Sequence, residues 1–169
     1  MLLRLAYDSI HAALARTELL LDSPTPHLAK PRGVFTSLYS HGDLRGCVGY
    51  VLPRSPLYRA VAETARAAAF DDPRFPPVRP DEEPTLEIEL SILTPPQPIR
   101  AEEIEVGRHG LLITMQGHRG LLLPQVPTER NWDRTMFLEQ TCLKAGLPAD
   151  AWQKGATIES FTAEVFGTP

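Results

Sequence analysis

Within Leu44-Arg45-Gly46-Cys47-Val48-Gly49, a guanidinium and a thiol stand two residues apart, each followed closely by a glycine. A cation beside a cysteine stabilises the thiolate, the form that attacks electrophiles and binds metals. In an extended strand, residues i and i+2 share a face, so Arg45 and Cys47 are expected side by side, roughly 6–7 Å apart along the backbone. Cys47 is then a candidate nucleophile, with Arg45 as its activator or as an anchor for an anion. Two glycines are costly in a plain strand. They point to a bulge, or to another backbone or a ligand coming close, which makes Gly46 and Gly49 candidate ligand-binding positions. The competing expectation is structural. A cysteine in an apolar run is most often a small buried hydrophobe, and Arg45 has an ordinary use as an ion-pair partner of Glu87 or Glu89. No general base is evident beside Cys47.

Other side chains offer chemistry at lower specificity. Asp72-Pro73-Arg74-Phe75 sets a charged pair and an aromatic on a proline-braced loop, fit either to clamp an anionic or planar ligand or to hold the loop itself. His41-Gly42-Asp43 has the His-x-Asp spacing of a two-histidine, one-carboxylate iron site, with His109 or His118 as a third ligand. Turn chemistry explains the same residues more simply, and no metal is expected. Glu87 and Glu89 are a conceivable catalytic carboxylate pair, or a solvated strand face. Gln125 sits on a proline-flanked turn after Leu121-Leu122-Leu123-Pro124. In a catalytic reading, Asp72, His109 and Gln125 position the substrate.

The elements that must hold these residues are read from periodicity. Leu3, Ala6, Ile10, Ala13, Leu14 and Leu20 recur at helical spacing from Leu2 to about Leu21, with Asp22-Ser23-Pro24 as the stop. The pattern of Val34 to Leu38 and Leu44 to Val51 around Ser40-His41-Gly42-Asp43 predicts a hairpin. Pro56 opens a helix with Leu57, Val61, Ala65 and Ala68 as its buried stripe. Thr85 to Leu93 alternates as a strand with one polar face. Leu111 to Met115 and Gly120 to Leu123 predict a second hairpin around Gln116-Gly117-His118-Arg119. A helix is expected from Trp132 to Ala145, ended by Gly146 and Pro148, with Met136, Phe137 and Leu143 in the core and Cys142 packed beside them. A turn at Asp150–Lys154 leads to a last strand, Thr157 to Phe166. Hairpins and isolated strands without βαβ alternation predict an α+β fold: an antiparallel sheet with flanking helices, in one domain over residues 1–169.

With 169 residues and 43% hydrophobic content the chain is expected to fold without disulfide staples. Cys47 and Cys142 form no metal or redox spacing, and a disulfide is not expected. The formal net charge of −4, without a Lys/Arg cluster, argues against nucleic acid as a partner. No apolar run is long enough to span a bilayer, and the amphipathic start carries Arg4, Asp8, Arg16 and Glu18, so neither membrane nor export is expected and the location is read as cytoplasmic. The 17 prolines fall mostly between periodic segments, as stiffened loops.

In this order, Gly33-Val34-Phe35, Leu44-Arg45-Gly46-Cys47-Val48-Gly49, Ala68-Ala69-Phe70-Asp71-Asp72-Pro73-Arg74-Phe75, Ile88-Glu89-Leu90-Ser91-Ile92-Leu93-Thr94, Gly107-Arg108-His109-Gly110-Leu111 and Leu121-Leu122-Leu123-Pro124-Gln125-Val126 resemble the AMMECR domain family, including its prokaryotic branch, the AmmeMemoRadiSam system protein A members. Trp132 and Phe137-Leu138 through Lys144-Ala145-Gly146-Leu147 complete the pattern, which covers nearly the whole chain. The Arg–Cys segment matches the family hallmark, with Val48 where isoleucine is usual. The resemblance implies an α+β fold of a larger and a smaller subdomain, with the hallmark near the cleft between them, and no established activity or cofactor. It also implies two partners: a Memo-type protein, similar to extradiol dioxygenases, and a radical S-adenosylmethionine enzyme. The expected role is a component of a small-molecule modification pathway with an unidentified ligand, or a non-catalytic binding or scaffold module.

Overall fold

The computed structural model describes residues 1–22 and 25–168. Five helices, α1 (Leu2–Ala15), α2 (Pro26–Ala29), α3 (Leu57–Phe70), α4 (Gln125–Glu129) and α5 (Arg134–Lys144), accompany eight strands. The strands are β1 (Gly33–Ser40), β2 (Asp43–Tyr50), β3 (Leu86–Leu93), β4 (Gln97–Pro98), β5 (Gly110–Met115), β6 (His118–Leu122), β7 (Thr157–Phe161) and β8 (Ala163–Gly167). They form two four-stranded antiparallel sheets, ordered β2-β1-β3-β8 and β4-β7-β5-β6. The fold is α+β, and the chain divides into two compact units, Met1–Leu93 with Glu164–Pro169, and Thr94–Ala163.

In the first unit, His41 and Gly42 turn the β1–β2 hairpin at φ of 52° and 85°. Positive φ at both central positions gives the twist that a two-residue hairpin needs. β1 pairs with β3 without interruption from Gly33↔Leu93 to Ser40↔Leu86. Val34, Leu38, Ile88 and Leu90 therefore share one face, which buries against Val61, Ala65 and Ala68 of α3. α3 follows Pro56 as expected, and α1 packs on it through Ala6 and Ile10. Buried hydroxyls are satisfied locally: Thr64 donates to the Ala60 carbonyl at 2.8 Å and lies 2.8 Å from the Thr36 hydroxyl, while Ser9 donates to Ala62 O at 2.7 Å.

Three boundaries differ from the periodic reading. α1 stops at Ala15 because Arg16 takes a left-handed conformation (φ 55°) and its amide, with that of Thr17, closes back onto Ala12 and Ala13. The expected stop at Asp22-Ser23-Pro24 lies in part outside the described residues. The single last strand is two strands in different sheets, broken at Thr162, whose amide and carbonyl both bond Thr94. In the second hairpin the turn is Gln116-Gly117 alone, so His118 and Arg119 are strand residues.

The second unit buries Leu111, Ile113 and Phe161 of its sheet, Phe137, Leu138 and Cys142 of α5, and Ala145 at the C-cap of that helix. Met136 and Leu143, expected in this core, are 38% and 51% exposed, because Phe137, Leu138, Thr141 and Cys142 define the buried face of α5 instead. Asp133 caps α5, accepting from the Met136 amide at 2.7 Å. Asp133→Ala is expected to lower stability by about 1 kcal/mol, read as a shift of the urea midpoint at unchanged slope. Among the described residues no helix is long and apolar enough to cross a membrane.

Candidate functional site

The hallmark segment lies on β2, at the edge of the first sheet. Counting from the His41-Gly42 turn, a regular hairpin pairs Leu38 with Arg45 and Ser37 with Gly46. The observed register pairs Tyr39 with Leu44 but Leu38 with Gly46, so Arg45 is the extra residue of a β-bulge. Because side chains alternate, this one-residue shift changes the face of everything beyond it. Without the bulge Cys47 would point into the α3 core. With it, Cys47 stands opposite Ser37 on the other face, half-buried, and Gly46 turns toward α3. Arg45 leaves the regular alternation, which corrects the side-by-side placement expected of a plain strand.

Both glycines are filled by the chain itself. A methyl group at Gly46 would lie 2.0 Å from the Ala68 carbonyl oxygen near the end of α3. One at Gly49 would lie 2.5 Å from Cα and Cγ of Phe35, whose ring leans over that position. Gly46 thus lets the last turn of α3 rest directly on the sheet. Two residues after α3, Asp72 is then delivered to the outer edge of β2.

There Asp72 organises the site. Its side chain is only 4% exposed. Oδ2 accepts from the Cys47 amide at 2.9 Å, so a carboxylate takes an edge N–H that no neighbouring strand reaches. Arg74 grips the same carboxylate with two bonds, Nε to Oδ1 at 3.1 Å and Nη2 to Oδ2 at 2.8 Å, and adds its own amide at 3.1 Å. The Arg74 hydrogen bonds, then the Cys47 amide, hold the Asp72 carboxyl well below the usual carboxylate range. The Arg74 guanidinium stacks 5.4 Å from the Phe75 ring centre and lies close enough to feel the Cys47 sulfur electrostatically.

The thiol has a hydroxyl partner: Ser37 Oγ donates to Cys47 Sγ at 3.3 Å. Arg45 pairs with Glu82, not with Glu87 or Glu89, through Nε at 2.9 Å and Nη2 at 3.2 Å. Arg45, followed by the Arg79 amide, holds Glu82 below its ordinary range. Arg45 Nη1 is buried and, among the described residues, without a hydrogen-bond partner. Both guanidiniums are therefore paired with carboxylates, Arg45 with Glu82 and Arg74 with Asp72.

His109 and Gln125 belong to the second unit. His109 Nδ1 accepts from the Glu105 amide at 3.0 Å, and Gln125 is exposed at the start of α4. His41 is hairpin-turn residue, and among the described residues no group of three or more His, Cys, Asp or Glu side chains is placed to hold a metal. Both cysteines are free; burial pushes the Cys142 thiol up. A groove of about 290 Å³ lined by Leu5 of α1, Leu20, Leu21, Leu28 and Tyr58 contains none of the candidate residues.

Comparison with known proteins fits this arrangement into a family. The AMMECR1 family model matches residues 3–166. The chain belongs to the AMMECR1 family. Among similar proteins, one from Methanococcus aeolicus is 46% identical over 173 residues, covering 96% of this chain and 87% of that protein. Protein TK0174 from Thermococcus kodakarensis is 49% identical over 157 residues, covering 86% and 76%. The crystal structure of uncharacterized protein PH0010 from Pyrococcus horikoshii superposes with a TM-score of 0.79 at 41% identity, covering 98% of this AMMECR1-family chain and 89% of that one.

Sequence reasoning missed Ser37 and Glu82. Ser37 was reachable only by knowing the bulge, since the regular count sets it against Gly46. Glu82 lies in an irregular proline-rich segment, where no periodicity signals a partner.

Proposed function

We propose that this chain is a cytoplasmic component of a small-molecule modification pathway, working with a Memo-type, dioxygenase-like protein and a radical S-adenosylmethionine enzyme, and that its reacting group is the Cys47 thiol. The partners follow from the family resemblance. The thiol reading is carried by one observation: a β-bulge turns Cys47 out of the α3 core onto the opposite sheet face, where it is half-buried, Ser37 donates to its sulfur and the Asp72–Arg74 pair fixes its backbone. Cys47 would form the bond to substrate, with Ser37 and Arg74 beside it.

A second reading has its own support. Gly46 and Gly49 accommodate the chain's own atoms, and the Cys47 amide is occupied, so the hallmark also suits a structural joint in a non-catalytic ligand-binding or scaffold module.

Alkylation separates the two. With iodoacetamide on the native protein, Cys47 is expected to label at least about tenfold faster than the buried Cys142, read by mass spectrometry of peptides. Equal protection of both cysteines, equalised only on unfolding, would sink the thiol reading and leave the scaffold module.

A further inference from the structure

On the face of the first sheet turned away from α3, β1 pairs Ser37 with Cys47 on one side and with Glu89 on the other, all three half-buried. A thiol, a hydroxyl and a carboxylate therefore stand in one row across three strands, about 5 Å apart from strand to strand. On the far side of Glu89 the fourth strand brings a glycine: a methyl at Gly167 would lie 3.8 Å from Glu89 Cβ. Glu87 stands two residues away on the same face, opposite Tyr39. Among the described residues the side chain of neither Glu87 nor Glu89 has a hydrogen bond or ion pair. The guanidiniums that could offset them are committed elsewhere, Arg45 to Glu82 and Arg74 to Asp72, each through two bonds. The face around the thiol thus carries uncompensated negative charge, and half-buried Glu89 is the member nearest Cys47.

Resting on the thiol reading above, we infer that the Cys47–Ser37–Glu89 row takes a cationic small molecule, an amine or similar organic cation, with its charge at Glu89 and its electrophilic atom at the Cys47 sulfur. The cation would meet a carboxylate without a competing partner, and Ser37 between them offers an oxygen to a donor group. An anionic ligand would meet two carboxylates and two guanidiniums whose charge is already matched.

Three methanethiosulfonates with one reacting head test this: the 2-aminoethyl (cationic), methyl (neutral) and 2-sulfonatoethyl (anionic) reagents. In each, the Cys47 thiolate attacks the sulfenyl sulfur, the reagent's S–S bond breaks, methanesulfinate leaves with the electron pair, and a mixed disulfide remains; the thiol proton passes to buffer. Rates are taken at low ionic strength and divided by those of N-acetylcysteine. A cation held near a half-exposed carboxylate gains roughly tenfold, so the cationic reagent is expected to outrun the anionic one by about that factor. Glu89→Gln is expected to cut the ratio at least about threefold, Glu89→Asp to keep most of it, and Glu63→Gln, on exposed α3 surface, to leave it unchanged. A wild-type ratio within twofold of N-acetylcysteine, or one indifferent to Glu89→Gln, overturns the cationic assignment while normal reaction with the neutral reagent keeps the thiol reading. No native reaction with the neutral reagent overturns both.

Discussion

Gly46→Ala is expected to destabilise the protein by about 3 kcal/mol or more, among the largest effects of any single methyl group in the chain. The new carbon would sit 2.0 Å from the Ala68 carbonyl oxygen, a backbone atom near the end of α3 that cannot rotate away. Relief requires lifting the last turn of α3 from the sheet or undoing the bulge at Arg45. Either movement separates Asp72 from the Cys47 amide, so the variant should lose stability and the order of the site together. Guanidinium denaturation gives the first quantity, and the Cys47 labelling rate the second. A midpoint equal to wild type would show that the carbonyl does not fill the space beneath Gly46.

The second large effect is expected at Asp72. Asp72→Asn leaves the shape nearly unchanged but removes the charge that two Arg74 nitrogens, the Arg74 amide and the Cys47 amide converge upon. The carboxyl is held below its ordinary range in the fold, so the unfolded chain takes up its proton first as pH falls. Its contribution is therefore fully present above the unfolded value of about 4 and is lost as pH drops toward the folded one. The variant should be clearly less stable than wild type at pH 7, and the two curves should converge in acid below about pH 4. A stability difference constant from pH 7 to pH 3 would mean that the charge of Asp72 is not what holds the loop.

The first hairpin, the α3 stripe and the alternation of β3 were legible because each buries a regular face, and periodicity reports faces. The boundary of α1 was not, because a left-handed Arg16, a residue without a turn signature, ends it. The break at Thr162 was hidden for a related reason: the strand pattern continues through it, and only a threonine distant in sequence, Thr94, interrupts the ladder. At the site, the types of residue were visible and their partners were not. Arg45 and Cys47 stood out, but a bulge is a property of register, and register decides which face a residue occupies. The glycines signalled close approach correctly in kind. What approaches them, the Ala68 carbonyl and the Phe35 ring, comes from packing between elements that no local spacing encodes.

The place of β8 has a consequence for how the molecule is made. The first sheet takes β1, β2 and β3 from the early part of the chain and its last strand from residues that follow the whole second unit. As the chain emerges from the ribosome, β3 must keep its outer edge unpaired while the intervening residues are synthesised. An unpaired edge is a template for strand addition by another chain. The Glu87 and Glu89 carboxylates on that strand would meanwhile discourage neighbours of the same kind, so a charge pattern suited to ligand choice in the finished protein also protects the nascent one from self-association.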